Sequence, residues 1–456
     1  MAMKTSRHQR QPELWIAGSD VAHSPGHPFY QRLNSLLSEK GFDAFVERLC
    51  RKFYADRLGR PSIPPGVYFR MLLIGYFEGI DSERGIAWRC ADSLGLREFL
   101  GYALTETTPD HSTLSVIRNR IDLETHEEVF TWVLKVLAEQ GLLKGKTIGI
   151  DATTLEANAA LRSIVRRDTR ESYQEFLTRL AQASGIATPT REDLAKTDKT
   201  RKNKGSNDDW VNPHDPDAKI AKMKDGRTHL AHKAEHAVDL DTGAVVAVTV
   251  QGADLGDTTT LKETVTEAVD NLRQVSDDPQ ASGNLHERFF EEVVGDKGYH
   301  SNETMSDFQE LEVRTYVSEP NRRGRRSWKG KSQEKAAVYA NRRRIRGERG
   351  KALLRRRGEL LERPFAHCYE TGGMRRTHLR GHPKILKRLL VHVAGFNLGL
   401  VMRAMFAIGK PRGLQDLSAR VFYALLHMIH GLCLAWRRLW HRLTTSDQLY
   451  GSTSAA

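Results

Sequence analysis

The stretch "KTIGIDAT", residues 146–153, is where the chain changes character. Two isoleucines alternate with small residues, the period-two pattern of a short, largely buried strand. It predicts a strand ending at Asp151. Ile148 and Ile150 point to one side, so Asp151 points to the other. A carboxylate at the end of a buried strand is either a turn or capping residue or one member of a metal-binding set. The second reading requires partner carboxylates from distant parts of the chain.

Downstream, "THLAHKAEHAVDL" (228–240), the turn "DTG" and "AVVAVTV" (244–250) predict a hairpin. "DTTTLKETVTEAVDNLRQ" (257–274) reads as a capped helix, with Asp257 as its cap. "EEVVGDK" (291–297) is a further strand, with Asp296 at its end as Asp151 ends the first. "NETMSDFQELE" predicts a helix, "RTYVSE" a strand and "KALLRRRGELLERPF" (351–365) a helix. The order β-β-β-α-β-α-β-α describes an α/β, ribonuclease H-like mixed sheet with flanking helices. Residues 156–226 interrupt it. Their first part, "RSIVRRDTRESYQEFLTRLAQAS" (162–184), looks helical and the rest is polar with Gly, Asn and Pro punctuation, as in an insertion or long loop.

Upstream, residues 28–143 carry helical periodicity. "PPGVYFRMLLIGYFEGI" (64–80) starts at a proline pair. In "TTPDHSTLSVIRNRI" (107–121), Asp110 or Ser112 caps a helix whose Leu114, Ile117 and Ile121 share a face, with Arg118 and Arg120 off it. Short helices with exposed arginines fit a helix-turn-helix-like DNA reader or a packing domain. The domains expected are a helical DNA-binding or dimerisation domain (1–143), a catalytic domain (144–410) with the insertion at about 156–226, and a helical tail (411–456). In the tail, "VFYALLHMIHGLCLAW" (421–436) is shorter than the ~20 residues of a bilayer span and reads as a packed helix.

The chain has 456 residues, 39% hydrophobic and 28% charged, in the range of globular proteins. Its net charge of +13 favours a polyanionic partner. Cys50, Cys90, Cys368 and Cys433 are far apart, which indicates neither a disulfide framework nor a zinc ribbon and suits a reducing compartment. The basic N-terminus lacks the apolar run of a signal peptide, so a cytoplasmic location is expected.

Phosphodiester chemistry commonly uses two divalent ions held by convergent oxygen ligands. Asp151 and Asp296 are two candidates from neighbouring strands. For the third, the helix over 351–365 would set Leu354, Leu361 and Phe365 as its apolar seam. Glu362 lies beside that seam, Glu359 lies nearly opposite, and Glu370 precedes "TGG", where the helix ends. Pro364 would kink the helix or put Glu362 just before its first turn. Glu362 is the preferred third carboxylate.

The segments "GIDATTLEANAA" (149–160), "HLAHKAEHAVDLDTGAVVAVTVQGADLGDTTTL" (229–261), "VVGDKGYHS" (293–301), "ERPFAHCYETGGMRRTHLRG" (362–381) and "NLGLVMRAM" (397–405) together resemble DDE transposases of bacterial insertion sequences. The helical front with "TTPDHSTLSVIRNRI" is similar to the front domain of that family. The resemblance implies a ribonuclease H-like catalytic domain, Asp151, Asp296 and Glu362 as an acidic triad holding two Mg²⁺ or Mn²⁺ ions, cleavage at element ends with strand transfer, and a homodimer on double-stranded DNA. Around the glutamate this chain departs from many relatives. Where they carry Tyr, Arg and Lys it has Arg355, Gly358 and Tyr369, so roles tied to those residues do not carry over. Arg355, Arg375 and Arg376 are alternative sources of charge.

Two basic runs, "NRRGRRSWKGK" (321–331) and "NRRRIRGERGKALLRRR" (341–357), precede Glu362. Arg322, Arg323, Arg325, Arg326, Lys329, Arg342, Arg343, Arg344 and Arg355 are expected to contact DNA phosphates, and Trp328 to stack on an exposed base. On one strand His232 and His236 share a side while His229 faces the other, so the three do not converge on zinc. His300 and His367 sit near the carboxylates in sequence, but packing roles are favoured. Competing functions are a metal-dependent nuclease that does not join strands and an inactive DNA-binding relic.

Overall fold

The computed structural model describes residues 24, 26–55, 62–201, 205–223, 226–321 and 327–412. Cys433, the 421–436 segment, and Arg322, Arg323, Arg325 and Arg326 lie outside the described residues. Seven helices come first: α1 (Pro28–Glu39), α2 (Phe42–Cys50), α3 (Pro65–Glu78), α4 (Glu83–Asp92), α5 (Leu94–Leu100), α6 (His111–Arg120) and α7 (Leu123–Glu139). Prolines open α1 and α3, where the missing N–H costs nothing. Asp110 caps α6, its Oδ1 accepting from Ser112 N at 2.7 Å. Leu114, Ile117 and Ile121 are fully buried on one face. Arg118 departs from the expectation. It is buried against Glu83, because α4 packs over that flank, so it is closed to DNA. Arg120 is exposed, over the Tyr54 ring at 5.3 Å.

The strands are β1 (Thr147–Glu156), β2 (Val165–Arg166), β3 (Trp210–Val211), β4 (Lys219–Lys222), β5 (Thr228–Asp239), β6 (Val245–Gly252), β7 (Glu292–Gly295) and β8 (Arg314–Val317). The main sheet runs β6–β5–β1–β7–β8, with β4 sharing the β6 edge of β5. The β6–β5 and β5–β1 pairs are antiparallel, and the β1–β7 and β7–β8 pairs are parallel. This is the ribonuclease H-like mixed sheet. β1 does not stop at Asp151 but continues to Glu156. The polar run after Asp151 has little strand character of its own. The long β5 supplies it with partners from Asp239 back to Ala231.

Between β1 and β5 lie α8 (Tyr173–Ala183) and α9 (Arg191–Thr200). The helix expected over 162–184 begins only at Tyr173, where Ser172 and Glu175 form a capping box. The residues before it form a short turn and β2. This insertion has its own small core of Ala157, Ile164, Trp210, Ala218 and Leu230. After the hairpin come α10 (Asp257–Ser276), α11 (Asn302–Glu310), α12 (Ser332–Arg346), α13 (Glu348–Phe365) and α14 (His382–Phe406).

α14 joins the two ends of the molecule. Lys387 Nζ donates to the carbonyls of Arg118 (3.0 Å) and Ile121 (2.7 Å), and Arg388 donates to Ile80 O at 3.2 Å. Further along, Asn397 bonds both the N–H and the carbonyl of Val245 in β6, at 3.0 and 2.8 Å. One continuous apolar core runs from Phe29 through the sheet to Ile408. α14 is long and apolar enough to cross a bilayer, but most of it is buried inside the fold. Cys50, Cys90 and Cys368 are buried free thiols.

Candidate active site

Parallel pairing sets Gly149 beside Val294. Two residues further along come Asp151, still in β1, and Asp296, just past the end of β7, close enough for the Asp296 charge to act on Asp151. Asp151 is half-buried. Its Oδ1 accepts from Ala152 N at 2.9 Å, and its Oδ2 lies 2.8 Å from Arg357 Nη2. Burial raises its pKa above the usual carboxylate value. Arg357 and the Ala152 N–H oppose that shift, and the Asp296 and Asp257 charges add to it. Asp296 leaves the strand as the first residue of a tight turn, its Oδ1 accepting from Gly298 N at 2.7 Å.

Asp257 is not the helix cap that its sequence context predicts. Gly256 takes the capping position and Asp257 is the first residue of α10. Its carboxylate turns instead toward the Asp296 turn. A Cβ at Gly298 would overlap it and would lie 3.0 Å from Asp296 Oδ1, so glycine is what lets the two acids approach. Lys233, buried on β5, donates to Asp257 Oδ1 at 2.6 Å and Thr260 Oγ1 at 2.9 Å. The same ammonium is 3.9 Å from Glu235, which is fully buried. Glu235 also accepts from Thr260 (2.9 Å), Thr264 (2.5 Å) and the hydroxyl of Tyr299 (2.8 Å). Burial raises the pKa of Glu235, and these donors hold it down. The network ties β5, the start of α10 and the Asp296 turn together. Lys233 and Asp257 thus belong to the site, and sequence reasoning missed their pairing.

The third candidate sits on α13. Its buried face is Leu353, Leu360, Leu361 and Pro364, not the predicted Leu354–Leu361–Phe365 seam, because Leu354 and Phe365 are only half-buried at the flanks. Fully burying Leu361 contributes about 2 kcal/mol. A Cβ at Gly149 would lie only 2.7 Å from Leu361 Cδ1, so that glycine lets α13 sit close on β1. The helix runs through Pro364 and then widens into a π turn over Ala366–Glu370, with Thr371 N donating to Ala366 O at 3.0 Å.

Residues follow one another at roughly 100° around α13. On one flank, Arg356 donates to Asp241 O at 3.0 Å, beside the β5–β6 turn. On the other flank, Phe365 and Tyr369 lie against His236, which pairs with Asp151. Glu362 is exposed, roughly 60° further round the helix than Phe365, and is also turned from the buried face. Glu359, roughly 60° further round, points away from the sheet and pairs with Arg363. Among the described residues no three His, Cys, Asp or Glu side chains are gathered closely enough to cage an ion. The chemistry of the donors nevertheless fits a hard divalent cation: carboxylate oxygens from separate elements, one of them half-buried among like charges.

The basic side chains divide into two groups. Arg342 is bidentate to Glu319 (2.9 and 2.9 Å), Arg344 bonds Thr315, and Arg375 bonds Glu370, Thr153 and Thr154. Lys329, Arg343, Arg355 and Arg376 face solvent, Arg376 with Glu156 at 3.8 Å. Trp328 is half-buried, edge-on to Tyr339. Tyr369, where relatives carry lysine, is fully buried and bonds His236 Nε2 at 2.6 Å, so it does not reach DNA. Burial lowers the pKa of His236 to about 3 and that of His367 to about 4, and both stay neutral in the packing. His232 is buried 3.3 Å from Asp215, His300 is buried, and His229 lies at the edge of β5, 3.8 Å from Glu156.

The sheet order, β6–β5–β1–β7–β8 with the last two pairs parallel, defines a ribonuclease H-like protein. Two family models match the chain: "Transposase domain (DUF772)" over residues 20–120 and "Transposase DDE domain" over residues 194–398. Together they span about two thirds of the sequence, and the chain belongs to the DDE transposases of the insertion-sequence type. The DDE match takes in Asp257, Asp296 and Glu362 and begins after Asp151. No curated protein and no solved structure matches.

Proposed function

We propose that this transposase cuts DNA at the ends of a mobile element and joins the freed ends to target DNA, using Asp151, Asp296 and Glu362 as its carboxylate set. The observation that carries the reading is the parallel pairing of β1 with β7, which brings the Asp296 charge to bear on Asp151, in a chain of this family. Two divalent ions at such a set supply activation of the attacking oxygen and charge stabilisation of the leaving one. The residues of this chain do the rest. Asp151 and Asp296 present oxygens from a rigid sheet, and the Lys233–Glu235–Tyr299 network fixes the turn that carries Asp296. Glu362, exposed on α13, is the third carboxylate of the set in this reading. Lys329, Arg343, Arg355 and Arg376 bind backbone phosphates, which makes affinity fall steeply with salt. The front helices (1–143) grip the element ends, residues 144–410 cut, and two copies pair two ends in the bacterial cytoplasm.

The choice of glutamate is testable. Glu362→Gln is expected to lower cleavage of end DNA by at least about a hundredfold, near 2.7 kcal/mol. Glu359→Gln should stay within about twofold of the unaltered rate. Single-turnover cleavage rates decide it, and the reverse order would move the role to Glu359. The reaction class is read with end DNA, Mn²⁺ and a supercoiled target plasmid. Joined products are expected. Cleaved ends with no joined product would make the chain a nuclease, and DNA binding with no metal-dependent cutting would make it a binding relic.

A further inference from the structure

We propose that Arg357 is a positioning residue for Asp151, acting as a built-in cation that holds this carboxylate until a divalent ion displaces it. The inference rests on the carboxylate-set reading above.

Both oxygens of Asp151 are engaged: Oδ1 by the Ala152 N–H, Oδ2 by Arg357. Arg357 reaches it from α13 with its side chain largely buried, and its Nε donates to Ile150 O at 3.2 Å, anchoring the guanidinium on the strand that carries Asp151. The ion pair itself is loose in angle. Nη2 stands 2.8 Å from Oδ2 without the alignment of a hydrogen bond, and it makes none among the described residues. Arg342 on Glu319 shows the contrast, a fork with both arms bonded at 2.9 Å. A guanidinium that matches a carboxylate in both arms is hard to displace, whereas one that only approaches by charge exchanges readily for a more concentrated charge. Electrostatics requires some cation here. Asp151, Asp296 and Asp257 crowd one edge, and Lys233 is spent on Asp257 and Glu235. Arg357 offsets the remaining repulsion, keeps Asp151 aimed, and competes with the incoming ion.

The test is Mn²⁺ binding to the DNA-free full-length protein, read from the electron paramagnetic resonance signal of free Mn²⁺. Arg357→Gln is expected to tighten binding about tenfold, as when one of two ligands competing for a group is removed. Arg357→Lys, which keeps the charge and guards against a folding artefact, should bind like the unaltered protein. In an Asp151→Asn background, Arg357→Gln should change nothing. Equal affinity in Arg357→Gln and the unaltered chain, with uptake still abolished by Asp296→Asn, overturns this inference alone. A tightening that persists in the Asp151→Asn background overturns it too. No Mn²⁺ uptake by the unaltered chain overturns the carboxylate-set reading itself.

Discussion

Asp151→Asn and Asp296→Asn are each expected to abolish DNA cleavage while leaving DNA affinity within about twofold. The rate loss should exceed about a thousandfold, or roughly 4 kcal/mol of transition-state stabilisation. Asparagine preserves shape but removes the charge on an oxygen that the set needs. Binding should persist because it rests on basic side chains rather than on these carboxylates. Stability sharpens the prediction. Burial raises the pKa of Asp151 in the folded chain. An acid so shifted contributes stability below its unfolded pKa and loses it as pH rises through the folded value. At neutral pH the ionised Asp151 is therefore a cost to the fold. Asp151→Asn should melt no lower than the unaltered protein, although it also gives up the Arg357 ion pair. Gel-shift, cleavage and melting measurements on one preparation check all three. Cleavage at the unaltered rate in either variant would remove that residue from the site.

The largest expected loss of stability comes from Lys233→Met. Methionine fills the space but leaves Glu235 fully buried without a cation, and Asp257 without its partner. Breaking a buried ion pair from one side typically costs about 3–5 kcal/mol. The variant should unfold at a clearly lower denaturant concentration, and adding Glu235→Gln should recover part of the loss. The same network holds Tyr299, three residues past Asp296. Cleavage should therefore fall even under conditions where the variant is folded. A Lys233→Met protein with an unchanged midpoint would mean that Glu235 takes up a proton and needs no lysine.

The parts of the fold that were legible share a physical basis. The β5–β6 hairpin, the strand ending at Asp296 and the helix around Glu362 are each declared by local periodicity and turn residues. The β1 and β7 segments lie next to each other as parallel strands, which brings the Asp296 turn near Asp151. What was hidden depends on partners far along the chain. The extension of β1 to Glu156 is imposed by the length of β5. Asp257 looks like a cap in "LGDTTTL", and only the bare Gly298, on a distant turn, shows why it turns elsewhere. Lys233 alternates with histidines and alanines in a strand that reads as ordinary. Arg357 is one of three consecutive arginines, and only the register of α13 on β1 singles it out. Arg118 shows the opposite error, an arginine taken for surface that a neighbouring helix covers.

The passage of α14 through the shared core has a practical corollary for anyone wishing to redirect this protein. A splice at the junction between the front helices and the sheet would leave Leu389, Val393 and Val401 without half of their surroundings. It would also strip the Lys387 ammonium of both its acceptors. The front helices and the sheet are therefore not interchangeable cassettes here. A workable hybrid has to transplant α14 along with the front helices, or redesign the contact surface on both sides of the seam.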